Sequence, residues 1–169
     1  MKLMQEDGCS INLPFPTRPV PTPSLEIQKM VVETAHRNGM LAIAHALTNH
    51  STMRVLEAGV DGLAHSSVEP ITDEMIQAFK KNNAFLIPTL AIAAACSGEE
   101  QEIREKFAKE LKDADKEHLL GCLHITRDEY TIQSSFKQVA TLKANGIDVI
   151  WYALLTFQLF HILDFYTNV

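Results

Sequence analysis

Cysteine is scarce in this chain: Cys9, Cys96 and Cys122 are its three, far apart, and no C-x-x-C pair occurs. That excludes a disulfide framework and a thiolate zinc knuckle, and leaves free thiols of the cytoplasm as the expectation. Glycine-rich phosphate loops are also missing. Neither G-x-G-x-x-G nor G-K-[ST] occurs, so no phosphate cradle of those types is available. Basic excess is absent too. The net charge of −6 opposes general nucleic-acid binding, which draws on a lysine- and arginine-rich face. No signal peptide is expected, because Met1-Lys2-Leu3-Met4-Gln5-Glu6-Asp7 turns acidic at once. One long apolar run exists, VIWYALLTFQLFHILDF from Val149 to Phe165, but Gln158, His161 and Asp164 interrupt it. It reads as a buried strand followed by an apolar tail, and membrane insertion is not expected.

What is present suits one globular domain: 169 residues, 46% hydrophobic and 21% charged, are enough for a sizeable core. After a short strand candidate at Lys2-Leu3-Met4 comes a loop with Pro14, Pro16, Pro19, Pro21 and Pro23. Prolines remove backbone donors and fix φ, so this stretch is extended and irregular. Thr22 or Ser24 can then cap a helix with Ile27, Met30, Val31 and Ala35 at helical spacing, stopped by Asn38-Gly39. A strand-like run, Met40 to His45, follows. The cycle repeats. A helix over Thr48–Ala58 is closed by Gly59, and a strand run Val60 to His65 follows. A helix opened by Thr72-Asp73-Glu74, with Met75, Ile76 and Phe79 inward, ends at Asn82-Asn83 before the strand Ala84–Pro88. Residues 99–120 are charge-dense and predict a solvated helix. A helix over Thr126–Asn145 and a strand over Ile147–Trp151 complete the pattern.

Alternating strands and helices predict parallel βαβ units, with strands buried on both faces. About five such units are expected. A closed (β/α)₈ barrel needs eight strands and ~250 residues, so the fold class is α/β, a partial barrel or a small open sheet.

Two histidines, His45 and His65, end successive strand runs. In parallel α/β folds the C-terminal strand ends converge on one face, where ligands and metals bind. A single histidine there most simply bonds to a loop carbonyl. Two on adjacent strands can share a metal through neutral imidazole nitrogens. A catalytic zinc typically takes three protein ligands, so a third must come from elsewhere. His50, in the next helix start, is a weaker candidate for substrate contact at the mouth of such a site. His36 lies at a helix end, where it complements the dipole.

Several elements agree in order and spacing with a known family. They are Ala35-His36-Arg37-Asn38-Gly39, Ala44-His45-Ala46, Leu56-Glu57-Ala58-Gly59-Val60-Asp61, His65 and Pro88-Thr89-Leu90. Residues 2 to 150 resemble the amidohydrolase superfamily, most of all its imidazolonepropionase-like and prolidase-like metal-dependent hydrolases. The resemblance implies strands 4 to 8 of a (β/α)₈ barrel in residues 1–150, with 151–169 as a divergent apolar tail. It implies a divalent metal, zinc first. His45 and His65 would match the fifth- and sixth-strand ligands, and Lys2 the fourth-strand lysine that many relatives carboxylate. The activity implied is hydrolysis of amide, cyclic amide or peptide-like carbon–nitrogen bonds by a metal-activated water. A small-molecule amide or peptide-like substrate would be its partner.

Three family features differ. No H-x-H pair occurs, and the eighth-strand aspartate has no counterpart, since Asp148 comes too early in Gly146-Ile147-Asp148-Val149-Ile150. The three strands that precede the lysine in the family have no counterpart before Lys2. The expectation is therefore a partial chain with impaired turnover. The rival reading is a non-catalytic remnant, at most a metal-binding or association module. Open sheet edges in either case favour self-association.

Overall fold

The computed structural model describes residues 1–6, 19–90, 93–94, 97–99, 101–113 and 130–151. The three cysteines, much of the proline-rich loop, the start of the helix expected at Thr126 and the apolar tail beyond Trp151 lie outside the described residues.

The elements run β1 (Lys2–Met4), α1 (Leu25–Arg37), β2 (Ile43–His45), α2 (Asn49–Ala58), β3 (Gly62–Ala64), α3 (Asp73–Asn82), β4 (Phe85–Ile87), α4 (Gln101–Ala108) and α5 (Ile132–Ala144). The four strands form one parallel sheet in the order β1-β2-β3-β4. A single parallel bridge, Leu86 to Val149, adds the start of a fifth. The fold is α/β and matches part of a (β/α)₈ barrel.

Local chemistry accounts for the helix ends. Ser24, Thr48, Thr72 and Thr131 each accept a backbone N–H from the first turn of the following helix. Gly59 and Asn83 end α2 and α3 in the left-handed conformation that closes orphan carbonyls. The last helix begins at Ile132, because Thr131 and Ser134 form a reciprocal capping box there.

The face of α1 differs from expectation. Gln28, Val32 and Ala35 are buried, while Ile27 and Met30 are about half exposed. A polar pair moves the face. Gln28 Nε2 donates to the Gln5 side-chain oxygen beyond β1 and, at 3.0 Å, to the Pro23 carbonyl. Burying Gln28 against the strand end turns Ile27 and Met30 outward.

The sheet also differs. Leu3, Ala44, Leu63 and Leu86 are buried against the helices with Val32, Val55, Leu56, Phe79 and Leu142. The opposite face is mostly part-exposed: Ile43, His45, Ala64, Phe85 and Ile87 are intermediate, and Lys2 and Met4 are exposed. Among the described residues the four strands and the Val149 bridge form an open row, and the face that would line a barrel is covered only in part. Gly62 is buried on that face, where a β-carbon would overlap the Phe85 ring. Among the described residues no helix is long and apolar enough to cross a membrane.

Candidate functional site

Strand register decides which side chains meet. Lys2 pairs with Ile43 and Met4 with His45. His45 in turn pairs with Ala64, which pairs with Ile87. Paired residues of parallel strands point to the same face. Lys2 and His45 therefore share the part-exposed face, with Lys2 one step of two residues nearer the N-terminal end.

His65 follows β3 and breaks from extended geometry, at φ 93°. Its N–H donates to the Ile87 carbonyl at 2.7 Å, and its Nδ1 lies 2.7 Å from Thr89 Oγ1. Thr89, just past β4, is also left-handed, at φ 48°. Such conformations hold about 1–3 kcal/mol of strain each and persist where surrounding bonds over-determine them. The turn at His65 brings its ring to the ring of His45, with centroids 4.8 Å apart and planes at 75°. If Nδ1–H donates to the Thr89 hydroxyl, the Nε2 lone pair is left for a ligand.

Electrostatics favour the neutral rings. Burial lowers the pKa of His45; the Glu6 carboxylate opposes that shift and the Lys2 ammonium adds to it. His65 is pushed down to about 4 by burial first, then by His45 and Lys2. Both imidazoles are therefore unprotonated at neutral pH, the state that ligates metals.

Comparison with known proteins places this geometry. No family model matches the sequence, and neither does any curated protein. Solved structures do match. An amidohydrolase matches with TM-score 0.57 at 20% identity, over 89% of this chain and 32% of its own. A prolidase complexed with N-methylphosphonate-L-proline matches with TM-score 0.57 at 17% identity, over 89% and 32%. The A. niger ochratoxinase matches with TM-score 0.53 at 18% identity, over 89% and 30%. The chain shares the fold of one part of these structures. It spans about a third of the length of the structures it matches.

His45 and His65 stand at the C-terminal end of parallel strands, the end at which α/β barrels carry their chemistry. As a test of fit to a metal, they offer two nitrogen donors. Among the described residues no group of three or more His, Cys, Asp or Glu side chains is arranged to hold a metal ion. The described residues therefore supply part of a ligand set, short of the three protein ligands of a catalytic zinc.

The remaining candidates lie elsewhere. His50 is exposed and lines a cleft with Leu25, Met53, Lys81 and Asn82. That cleft shares no lining residue with the His45–His65 pair. Carrying the Leu86–Val149 register one residue on places Ile150 beside Ile87, at the level of His45, and Asp148 one step below it. Asp148 is exposed, and its carbonyl accepts from Leu86 N–H at 2.9 Å. Glu69 is engaged structurally, since its Oε2 accepts from Asn49 N–H at 2.6 Å at the start of α2.

Sequence reasoning assigns no role to Thr89, to Glu6, whose carboxylate acts on His45, or to Gln138, which bonds to the backbone of Ser67 two residues past His65. Thr89 was quoted only within the Pro88-Thr89-Leu90 motif. Glu6 and Gln138 carried no spacing signal at all. A hydroxyl directly after the strand-ending proline was the one available clue, and it pointed to Thr89.

Proposed function

We propose that this chain forms the two-histidine sector of a metal-dependent hydrolase acting on amide or peptide-like carbon–nitrogen bonds. The observation that carries this reading is the pair of neutral imidazoles, ring against ring at 4.8 Å, at the C-terminal ends of neighbouring strands in an amidohydrolase-superfamily fold. Structures of that fold include a prolidase, a Xaa-Pro dipeptidase and an amidohydrolase, whose names indicate the bond class.

His45 and His65 would hold a divalent metal, zinc first, and Thr89 would fix the His65 tautomer. A divalent ion polarises a carbonyl and activates water. Lys2 would complete the set only once its amine is carboxylated, because its ammonium repels a cation and disfavours charge on both rings. With two imidazoles as the described donors, no catalytic step follows from these residues alone. The open edges are proposed as self-association surfaces: Met1 and Met4 beside β1, and Ile150 and Trp151 beside the fifth strand, are all about half exposed.

The incomplete ligand set favours a second reading, a non-catalytic metal-binding or association module. Zinc titration of the purified chain beside His45→Ala/His65→Ala tests the metal-binding basis of both readings. About one zinc per chain, lost in the double variant, supports the metal site. Amidase or dipeptidase activity that disappears with His45→Ala then selects the hydrolase. No zinc, or zinc indifferent to both histidines, sinks both metal readings and leaves association, which sedimentation would measure.

A further inference from the structure

Gln138 sits in the middle of α5 and is 4% exposed. It grips a loop 71 residues away in sequence. Its Oε1 accepts from the Ser67 N–H at 3.1 Å, and its Nε2 donates to the Ser67 carbonyl at 2.8 Å and to the Glu69 carbonyl at 3.0 Å. The amide thus pairs with both backbone groups of one residue, as a neighbouring strand would. A buried loop must satisfy its backbone: Ser66 N–H donates to the Pro88 carbonyl and Val68 N–H to the Leu47 carbonyl, while both backbone groups of Ser67 and the Glu69 carbonyl are met by Gln138.

The position of that loop gives the contact its significance. Ser67 is two residues past His65, whose left-handed φ of 93° turns its ring toward His45. On one side, the Ile87 carbonyl and the Thr89 hydroxyl hold His65 from β4. On the other side, the chain leaving His65 is held from α5 by Gln138 and from the segment after β2 by the Leu47 carbonyl, which accepts from the Val68 N–H at 2.7 Å and the Ser67 hydroxyl at 2.8 Å. A strained residue persists only under such two-sided constraint.

We propose that Gln138 is a positioning residue: it holds the Ser67–Glu69 backbone so that His65 stays left-handed with its ring edge-on to His45. This rests on the reading of His45 and His65 as the functional pair. Its geometric content stands apart from whether a metal binds.

The test compares Gln138→Met, which keeps side-chain length and removes all three hydrogen bonds, with Leu142→Ala. Leu142 is buried one turn further along the same helix, so its truncation loosens α5 while leaving the three Gln138 hydrogen-bonding groups in place. In histidine-labelled protein, the nuclear Overhauser effect between the His45 and His65 rings reports their approach. The expected result is a severalfold loss in Gln138→Met and retention in Leu142→Ala, with zinc affinity falling about 10-fold only in the former. An unchanged ring–ring signal in Gln138→Met overturns the proposal, as does equal loss in both variants. If Gln138→Met fails to fold, amide exchange at Ser67 in the unaltered protein decides. Protection equal to that of the β3 amides supports the clamp, and exchange at open-loop rates overturns it. Wild-type protein that shows the ring contact yet binds no zinc would sink the metal reading and leave the positioning role standing.

Discussion

The two ends of the parallel sheet are built differently. At the N-terminal end, Asp61 locks the entries to β2 and β3. Its Oδ2 accepts from the Ala42 N–H at 2.7 Å and meets His36 Nε2 at 2.8 Å, while its backbone exchanges bonds with Ala42 and Phe85. At the C-terminal end, two part-buried imidazoles lie ring to ring, with two non-glycine residues in the left-handed region. One end satisfies its polar groups cheaply. The other holds strain, and desolvated bases whose protonation is disfavoured. Such features concentrate where a protein binds or reacts. The His36 and Asp61 side chains are thus engaged with each other and with the Ala42 N–H inside the fold, and His45 and His65 are the pair proposed for chemistry.

Four substitutions or conditions can break or sharpen that contrast. The largest stability effect is expected for Asp61→Ala. It strands the buried Ala42 N–H, so urea unfolding should show a loss of about 2–3 kcal/mol. The His45–His65 ring contact should survive, and its loss would mean that the two ends are not independent.

Acid should act on the other end. His65 titrates near 4 when folded, against about 6.5 in an unfolded chain. Between those values the unfolded state binds more protons, so stability rises with pH through the window and falls as pH drops from about 6.5 to 4. After discounting for the ring's partial exposure, the change should be about 2 kcal/mol. His65→Asn, which tolerates the left-handed conformation, should flatten the profile. A wild-type stability independent of pH across that window would contradict a desolvated His65.

Thr89→Val keeps the branched shape and removes the hydroxyl bonded to His65 Nδ1. Zinc titration should then show about 10- to 100-fold weaker binding, with stability changed by about 1 kcal/mol. Unchanged zinc affinity would remove Thr89 from the site. The smallest effect is expected for Ser24→Ala, which removes the α1 cap. Thermal unfolding should register about 1 kcal/mol and zinc binding nothing. An effect on zinc would show that α1 is coupled to the histidines.

Much of this was legible in the sequence where the signal is local. Thr48 and Thr72 ahead of apolar periodicity, and Gly59 and Asn83 after it, marked α2 and α3 to within a residue. Strand ends were less legible. The runs Met40–His45 and Val60–His65 pair only over Ile43–His45 and Gly62–Ala64, because hydrogen bonding to a neighbour sets strand length. Met40 and Leu41 are part of the apolar run and are nonetheless exposed, at 43% and 57%. The inward face of α1 was misjudged for a related reason. Apolar spacing nominated Ile27 and Met30, and the Gln28–Gln5 bond across 23 residues overrode it.

The sequence by itself determined the α/β alternation, the helix caps and the placement of His45 and His65 at successive strand ends. Those follow from side-chain period and from local backbone bonding, which neighbouring residues decide. Only the tertiary structure decided that His65 leaves β3 in the left-handed region, that Thr89 meets its ring and that Gln138 grips the loop beyond it. Each of these is a contact across 24 or 71 residues or the strain such contacts sustain, and no local pattern encodes a partner that arrives only when the sheet assembles.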